Sequence, residues 1–218
     1  GVVSYDRIIT MLNVRDNRLV IEEKGIYSIE KFLVARRFMY WQVYLHKTGI
    51  AAEQMLIAFM KKLKNEYPRG ETKYISIPLM KLFELSEKKD NRITPELIES
   101  FCKVDDTDIV YTLKIQGDNS DKVLQYLSDS ILNRVLFKVV LQNEAITKEI
   151  IQNTRSQLLN NNRFNISDLD YLVLTGSESN QTYNKDKEKI LILMKSGHIY
   201  PLEEISDYDM GSKPIVKH

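Results

Sequence analysis

One cysteine, Cys102, is the whole thiol complement of this 218-residue chain. No internal disulfide framework and no multi-cysteine zinc site can be built from it. Glycine and proline are scarce too, at eight and five residues, about half of the roughly 12% that average proteins carry. So few breakers favour long helices over a turn-rich β fold. Nor is there an excess of charge of one sign: 31 Lys and Arg stand against 30 Asp and Glu, a net charge of +1. That balance offers no global field for capturing nucleic acid or an anionic membrane, so any polyanion site must be a local cluster. No apolar run approaches the ~20 residues of a membrane span, and no signal peptide opens the chain. A cytoplasmic protein is expected, with the sequons at Asn165 and Asn180 unused. The chain begins at Gly1 rather than Met, as a piece of a longer protein would.

What is present reads as helix first and mixed structure later. Residues 5–14 read as a short helix, and LVIEE after Asn17 as a strand of a small hairpin or loop. A long helical pattern runs from Ser28, its expected N-cap, to Glu66 and stops at Tyr67-Pro68-Arg69-Gly70, with Gly49 as a point of bending. Shorter helices follow at 77–86 and 94–102, the latter capped by Thr94 before Pro95. DDTDIVYTLKI and SDKVLQYLSDSILNR continue as helices. Near residue 135 the texture changes. VLFKVVLQ, DYLVLTG, KILILMK and HIYPL read as strands, Ser196-Gly197 as a hairpin turn, 146–162 as a helix, and KPIVKH as an edge strand. The polar stretch 176–189 reads as a solvated loop. The expected fold class is mainly α, multi-helical over 1–134, with a small C-terminal α+β subdomain at 135–218.

The helix from Ser28 carries the chemical signal. At about 100° per residue, Ile29, Phe32, Leu33, Met39, Tyr40, Val43, Ile50, Ala51, Ile57 and Ala58 fall on one stripe, and Arg36, Lys47 and Gln54 fall near its middle. Tyr44 lies on one flank and His46 on the other. A buried unpaired cation costs several kcal/mol. Arg36 and Lys47 therefore meet carboxylates, for which Asp105, Asp106 and Asp108 are candidates, or line a cavity that admits an anion. They are eleven residues apart, about 16 Å along a helix axis, which implies two sites or one long groove. Asp105-Asp106-Thr107-Asp108 reads as an N-cap or salt-bridge partner, Cys102 as buried, and Trp41 as covering a second helix or a subunit contact.

ARRFMYWQVYLHKTG at 35–49 resembles the Arg, spaced Tyr and His-Lys segment of HD-domain phosphohydrolases, in the branch of the deoxynucleoside triphosphate triphosphohydrolases. YDRIITML at 5–12, VDDTDIVYTL at 104–113 and NRVLFKVV at 133–140 continue the resemblance in order and spacing. It implies that Arg36 contacts substrate phosphate and that Tyr44 packs on the substrate sugar. It implies that Arg7, His46 and Lys47 serve a regulatory nucleotide site. The chain departs from nucleotide-triggered members at Ser4, where they carry an acidic residue that reads guanine.

The resemblance further implies a divalent metal held by His, a His-Asp pair and a later Asp. This sequence has three histidines, His46, His198 and His218, and none precedes an Asp. No catalytic residue, no metal ligand and no cofactor are therefore assigned to this chain, and the divalent metal belongs to the full-length enzyme. There is no Walker A loop, G-x-G-x-x-G or G-x-S-x-G. The reading is the C-terminal part of a metal-dependent phosphohydrolase that cleaves deoxynucleoside triphosphates to nucleoside and triphosphate. This part supplies nucleotide-binding and homo-oligomer contacts, with no membrane or nucleic-acid partner. The alternative is a non-catalytic helical scaffold for nucleotide sensing or oligomerisation.

Overall fold

The computed structural model describes residues 5–67, 75–86, 93–160, 162–180, 189–207 and 215–218. In chain order the first elements are α1 (Tyr5–Thr10), β1 (Leu12–Arg15), β2 (Arg18–Glu22), α2 (Ile26–Met39), a π-helical turn (Tyr40–Tyr44) and α3 (Lys47–Glu66). Then come α4 (Ile77–Ser86), α5 (Pro95–Cys102), α6 (Asp106–Gln116), α7 (Lys122–Leu132), α8 (Lys148–Leu159) and α9 (Leu169–Leu172). β3 (Glu178–Asn180), β4 (Leu191–Leu193), β5 (Ile199–Pro201), α10 (Leu202–Ile205) and β6 (Ile215–Lys217) end the chain. The fold is mainly helical with a small α+β part, as the composition leads one to expect. No described helix is long and apolar enough to cross a membrane.

Two compact units form. They do not follow the 134/135 boundary but interleave in sequence: one holds 1–46, 141–145 and 176–218, the other 47–140 and 146–175.

In the first unit the expected helix over 5–14 ends at Thr10, because residues 12–15 are drawn into a hairpin. Asp16 and Asn17 both sit in the left-handed region, at φ 52° and 56°, the two-residue turn that suits strand twist. The turn sets the register Arg15↔Arg18 to Leu12↔Ile21. β4 joins β2 in parallel through Ile21↔Ile192, and β5 pairs antiparallel with β4. Gly197, at φ +86°, turns the chain between those two strands. Ile29 and Leu33 of α2 close over Ile21, Ile192 and Leu202 to form this unit's core. α2 starts at Ile26 rather than after Ser28. Gly25 precedes it and packs so closely that an added Cβ would lie 2.6 Å from Ile21 Cγ2 and 2.9 Å from Met11 Cβ. β6 pairs with β3, which occupies part of the stretch expected to be loop; residues 181–188 of that stretch lie outside the described residues. The Lys217 ammonium sits 4.8 Å from the Trp41 ring.

The second unit is a helical cluster around Met55, Phe59, Leu63, Leu79, Phe83, Leu113, Leu124 and Leu127. Its helix starts are set by caps. The Thr94 hydroxyl accepts from Leu97 N, Asp121 from Val123 N and Leu124 N, and Thr147 from Ile150 N. Asp105 and Asp108 form a reciprocal capping box on α6. Two expected strands are absent here. Residues 135–140 run without strand pairing, and Leu136 and Phe137 pack on the helical core while Phe137 N donates to Met55 Sδ at 3.2 Å. At the start of DYLVLTG the period is helical: Leu172 and Leu169 just before the segment, three apart, are both buried, and α9 forms instead of a strand.

Candidate functional site

Arg36 lies in the last turn of α2 and is exposed. Its Nη2 donates to Tyr40 Oη at 3.5 Å, and its Cζ stands 5.5 Å from the centre of the Tyr40 ring. The Tyr40 and Tyr44 rings are 5.4 Å apart and inclined at 52°. An arginine and two tyrosines at four-residue steps thus form a row that crosses from α2 into the π-helical turn. Tyr44 is 62% exposed. A guanidinium braced on one side by an aromatic face keeps free N–H groups for a phosphate or carboxylate. The outer tyrosine offers a flat apolar face with a polar tip.

This geometry corrects the apolar stripe. Arg36 and Lys47 are both exposed, whereas the stripe places them inside. Phe32, Met39, Val43 and Ile57, expected to be buried, are 38%, 48%, 54% and 37% exposed. In α2 only Ile29 and Leu33 are buried, so that helix leaves its core before Arg36 and Met39; beyond them Leu45 N reaches back five residues to Tyr40 O at 2.7 Å, a π-helical turn. A wider turn advances less than 100° per residue, and the helix then breaks at Leu45 and His46 before α3 begins. The break precedes Gly49. No single wheel spans both sides of it, so the cost of a buried cation does not arise at Arg36. Asp105 and Asp108 are occupied as caps rather than as partners of a buried cation.

Arg7 is exposed at the end of α1, with Nη2 donating to Lys24 O at 3.5 Å. His46 is exposed at the helix break, and Lys47, also exposed, is the first residue of α3. Arg7, Arg36, Tyr44 and His46 belong to the first unit and Lys47 to the second. The structure brings Arg36 to Tyr40 and Tyr44. Tyr40, expected only as part of the buried stripe, is half-buried and is the residue that links the other two. Cys102, expected to be buried, is exposed at the end of α5, where only Ser100 is buried. Phe38 is 55% exposed, while Trp41 and Leu45 are half-buried.

A buried ion cluster is also absent from the sequence reading. Lys62, 8% exposed, lies 2.8 Å from Asp121 Oδ2 and 3.0 Å from Glu66 Oε1. Burial alone would lower the pKa of its ammonium, but hydrogen bonds to Asp121 and Glu66 more than offset this and raise it above the ordinary 10.5. The Lys62–Glu66 spacing of four is its only trace in sequence.

Among the described residues no three His, Cys, Asp or Glu side chains group closely enough to hold a metal ion. The described residues thus offer no ligand set that fits the divalent metal implied by the resemblance.

Residues 3–77 match the family described as an HD associated region. Over 99% of its length the chain resembles the crystal structure of a phosphohydrolase from Bacteroides thetaiotaomicron, at a TM-score of 0.85 and 38% identity, covering 54% of that protein. A hypothetical protein from Aquifex aeolicus shares the fold, with a TM-score of 0.57 and 22% identity, 100% of this chain and 47% of that one. The uncharacterized protein YwfO of Bacillus subtilis is 28% identical over 141 residues, 64% of this chain and 30% of its own length. The chain thus spans about a third of this curated relative and about half of the solved structures. The family match and the Bacteroides structure support a relation to the HD-domain phosphohydrolases.

Proposed function

We propose that this chain is part of a metal-dependent HD phosphohydrolase that cleaves deoxynucleoside triphosphates to nucleoside and triphosphate. Arg36 donates N–H groups to a substrate phosphate, and the exposed face of Tyr44 packs on the sugar. The observation that carries this reading is the exposed row Arg36–Tyr40–Tyr44, in which a guanidinium and an aromatic face stand side by side. The resemblance of residues 35–49 and the similarity to the Bacteroides phosphohydrolase support it. Arg7, His46 and Lys47 serve a second, regulatory nucleotide. Metal ligands come from the remainder of the full-length protein, where the metal activates water and stabilises developing charge. The protein works in the cytoplasm as a homo-oligomer.

A product assay on the full-length protein with Mg2+ or Mn2+ tests this. Release of inorganic triphosphate from deoxynucleoside triphosphates, with ribonucleoside triphosphates at least tenfold slower, is expected, and none from residues 1–218 alone. Stepwise release of orthophosphate, or turnover of phosphorylated compounds other than nucleotides only, would refute the substrate class.

A further inference from the structure

We propose that the cleft between α3 and α9, within the second unit, is a binding site for a nucleoside phosphate. Ile57, Ala58, Lys61 and Asn65 recur along α3 at three- and four-residue steps, so one stripe of the helix faces Tyr171 and Leu174. The cleft holds about 390 Å³, inside the roughly 300–1,000 Å³ usual for small-molecule sites. Its floor is apolar: Ile57, Leu174 and the Tyr171 ring, with Ala58 small enough to let a flat ring approach the helix. Its rim is cationic. Lys61 and Lys64 stand three residues apart on α3, and among the described residues neither has a carboxylate partner, unlike Lys62, which Glu66 and Asp121 engage. The cleft's one carboxylate, Asp170, is already held by Arg155 at 2.5 Å. The aromatic wall is fixed in place: Asn65 Nδ2 donates to Tyr171 Oη at 2.8 Å, and the Lys62 ammonium lies 5.5 Å from the ring centre.

Two uncommitted ammonium groups beside an apolar floor select the ligand class. A bare anion would leave the floor unused, and a neutral aromatic would leave the lysines unused. A nucleoside phosphate engages both, with its phosphates on Lys61 and Lys64 and its base on Tyr171 and Leu174. The cleft belongs to the second unit and Arg36 to the first, and its occupancy does not depend on the reading of that residue.

Titration calorimetry of residues 1–218 with adenosine triphosphate and with inorganic triphosphate tests it. Adenosine triphosphate should bind at least tenfold more tightly than inorganic triphosphate. The doubly substituted K61E/K64E, at positions on the cleft rim, should weaken it at least tenfold, and so should Gln54→Trp, which fills the cleft. In the unaltered chain, nuclear magnetic resonance shifts should centre on Asn65, Tyr171 and Leu174. Unaltered affinity in either cleft variant overturns the proposal. So do equal affinity for inorganic triphosphate, shifts centred on Tyr40 and Tyr44, and absence of binding at millimolar concentration.

Discussion

The Lys62 ammonium, 2.8 Å from Asp121 Oδ2, ties the C-terminal part of α3 to the N-terminus of α7. The same carboxylate caps α7 by accepting from Val123 N and Leu124 N, both at 2.9 Å. One buried side chain therefore holds a helix start and a helix flank together, and Glu66 completes the cluster from one turn further along α3.

Removing the cation alone should be costly. Lys62→Met leaves two carboxylates facing each other with little water, a class of change that costs about 3–5 kcal/mol. For a chain of this size the thermal midpoint should fall by roughly 6–20 °C. The doubly substituted K62M/E66L should lose less, because one of the uncompensated charges is gone. Thermal denaturation of the three proteins checks this, and a double variant no more stable than Lys62→Met would sink the account.

The pH dependence follows from the direction of the Lys62 shift. Its folded-state pKa is raised above the ordinary 10.5, so the protonated form is favoured in the fold. The resulting stabilisation is fully present below about 10.5 and is lost as pH rises through the higher folded-state value. Urea midpoints of the unaltered chain and Lys62→Met should differ by a constant amount from pH 7 to about 10 and converge above it. A gap that widens with alkaline pH contradicts the assignment.

Gly25 should tolerate no side chain. Its backbone, at φ −89°, suits any residue, so the obstacle is contact alone: a Cβ would meet Ile21 Cγ2 at 2.6 Å and Met11 Cβ at 2.9 Å. Gly25→Ala should destabilise by about 1–3 kcal/mol, the range for overpacking a filled core. Pairing it with Ile21→Ala, which removes Cγ2, should cost less in urea denaturation than the two single substitutions added together.

The helices were legible where local chemistry decides them. Ile77–Ser86 and the Thr94-capped α5 end where the sequence says, because apolar spacing and caps are short-range signals. The hairpin strand β1 and the helix α9 were not, because each depends on partners distant in sequence: β1 on a sheet that β4 completes from residue 191, and α9 on a core assembled from α3 and α7. VLFKVVLQ misleads for the same reason, since β-branched residues suit a helical core as well as a sheet. At the candidate site the residue types were readable and their burial was not. A helical wheel shows neither where a core ends along a helix, which leaves Arg36 and Met39 on the surface, nor the π-helical turn that carries Val43 out of phase with α3.

Homo-oligomerisation follows from the proposed function and from the exposed apolar residues of the first unit. Phe38 at 55%, Met39 at 48% and Val43 at 54% lie within a few residues of one another, an apolar surface of the kind that marks interaction sites. Light scattering of the full-length protein at tens of micromolar should give at least a dimer, and Phe38→Glu should shift it toward monomer. A full-length protein that stays monomeric contradicts the expectation.

Arg36 separates structure from function most sharply. Because it is exposed and leans only on Tyr40, Arg36→Ala should change stability by less than about 0.5 kcal/mol, as surface substitutions do. If it holds a substrate phosphate, the same change in the full-length enzyme removes a charge-assisted contact of about 1.5–3 kcal/mol, and kcat/KM should fall roughly 10- to 150-fold. Arg36→Lys should restore only part, since a point charge cannot reproduce the guanidinium fork or its packing on the ring. Tyr40→Phe keeps the aromatic face and should cost little, whereas Tyr40→Ala should lower kcat/KM in the same direction as Arg36→Ala by freeing the guanidinium to wander. An Arg36→Ala protein that is markedly less stable yet unchanged in kcat/KM would make this arginine a structural residue and remove the phosphate contact from the proposed mechanism.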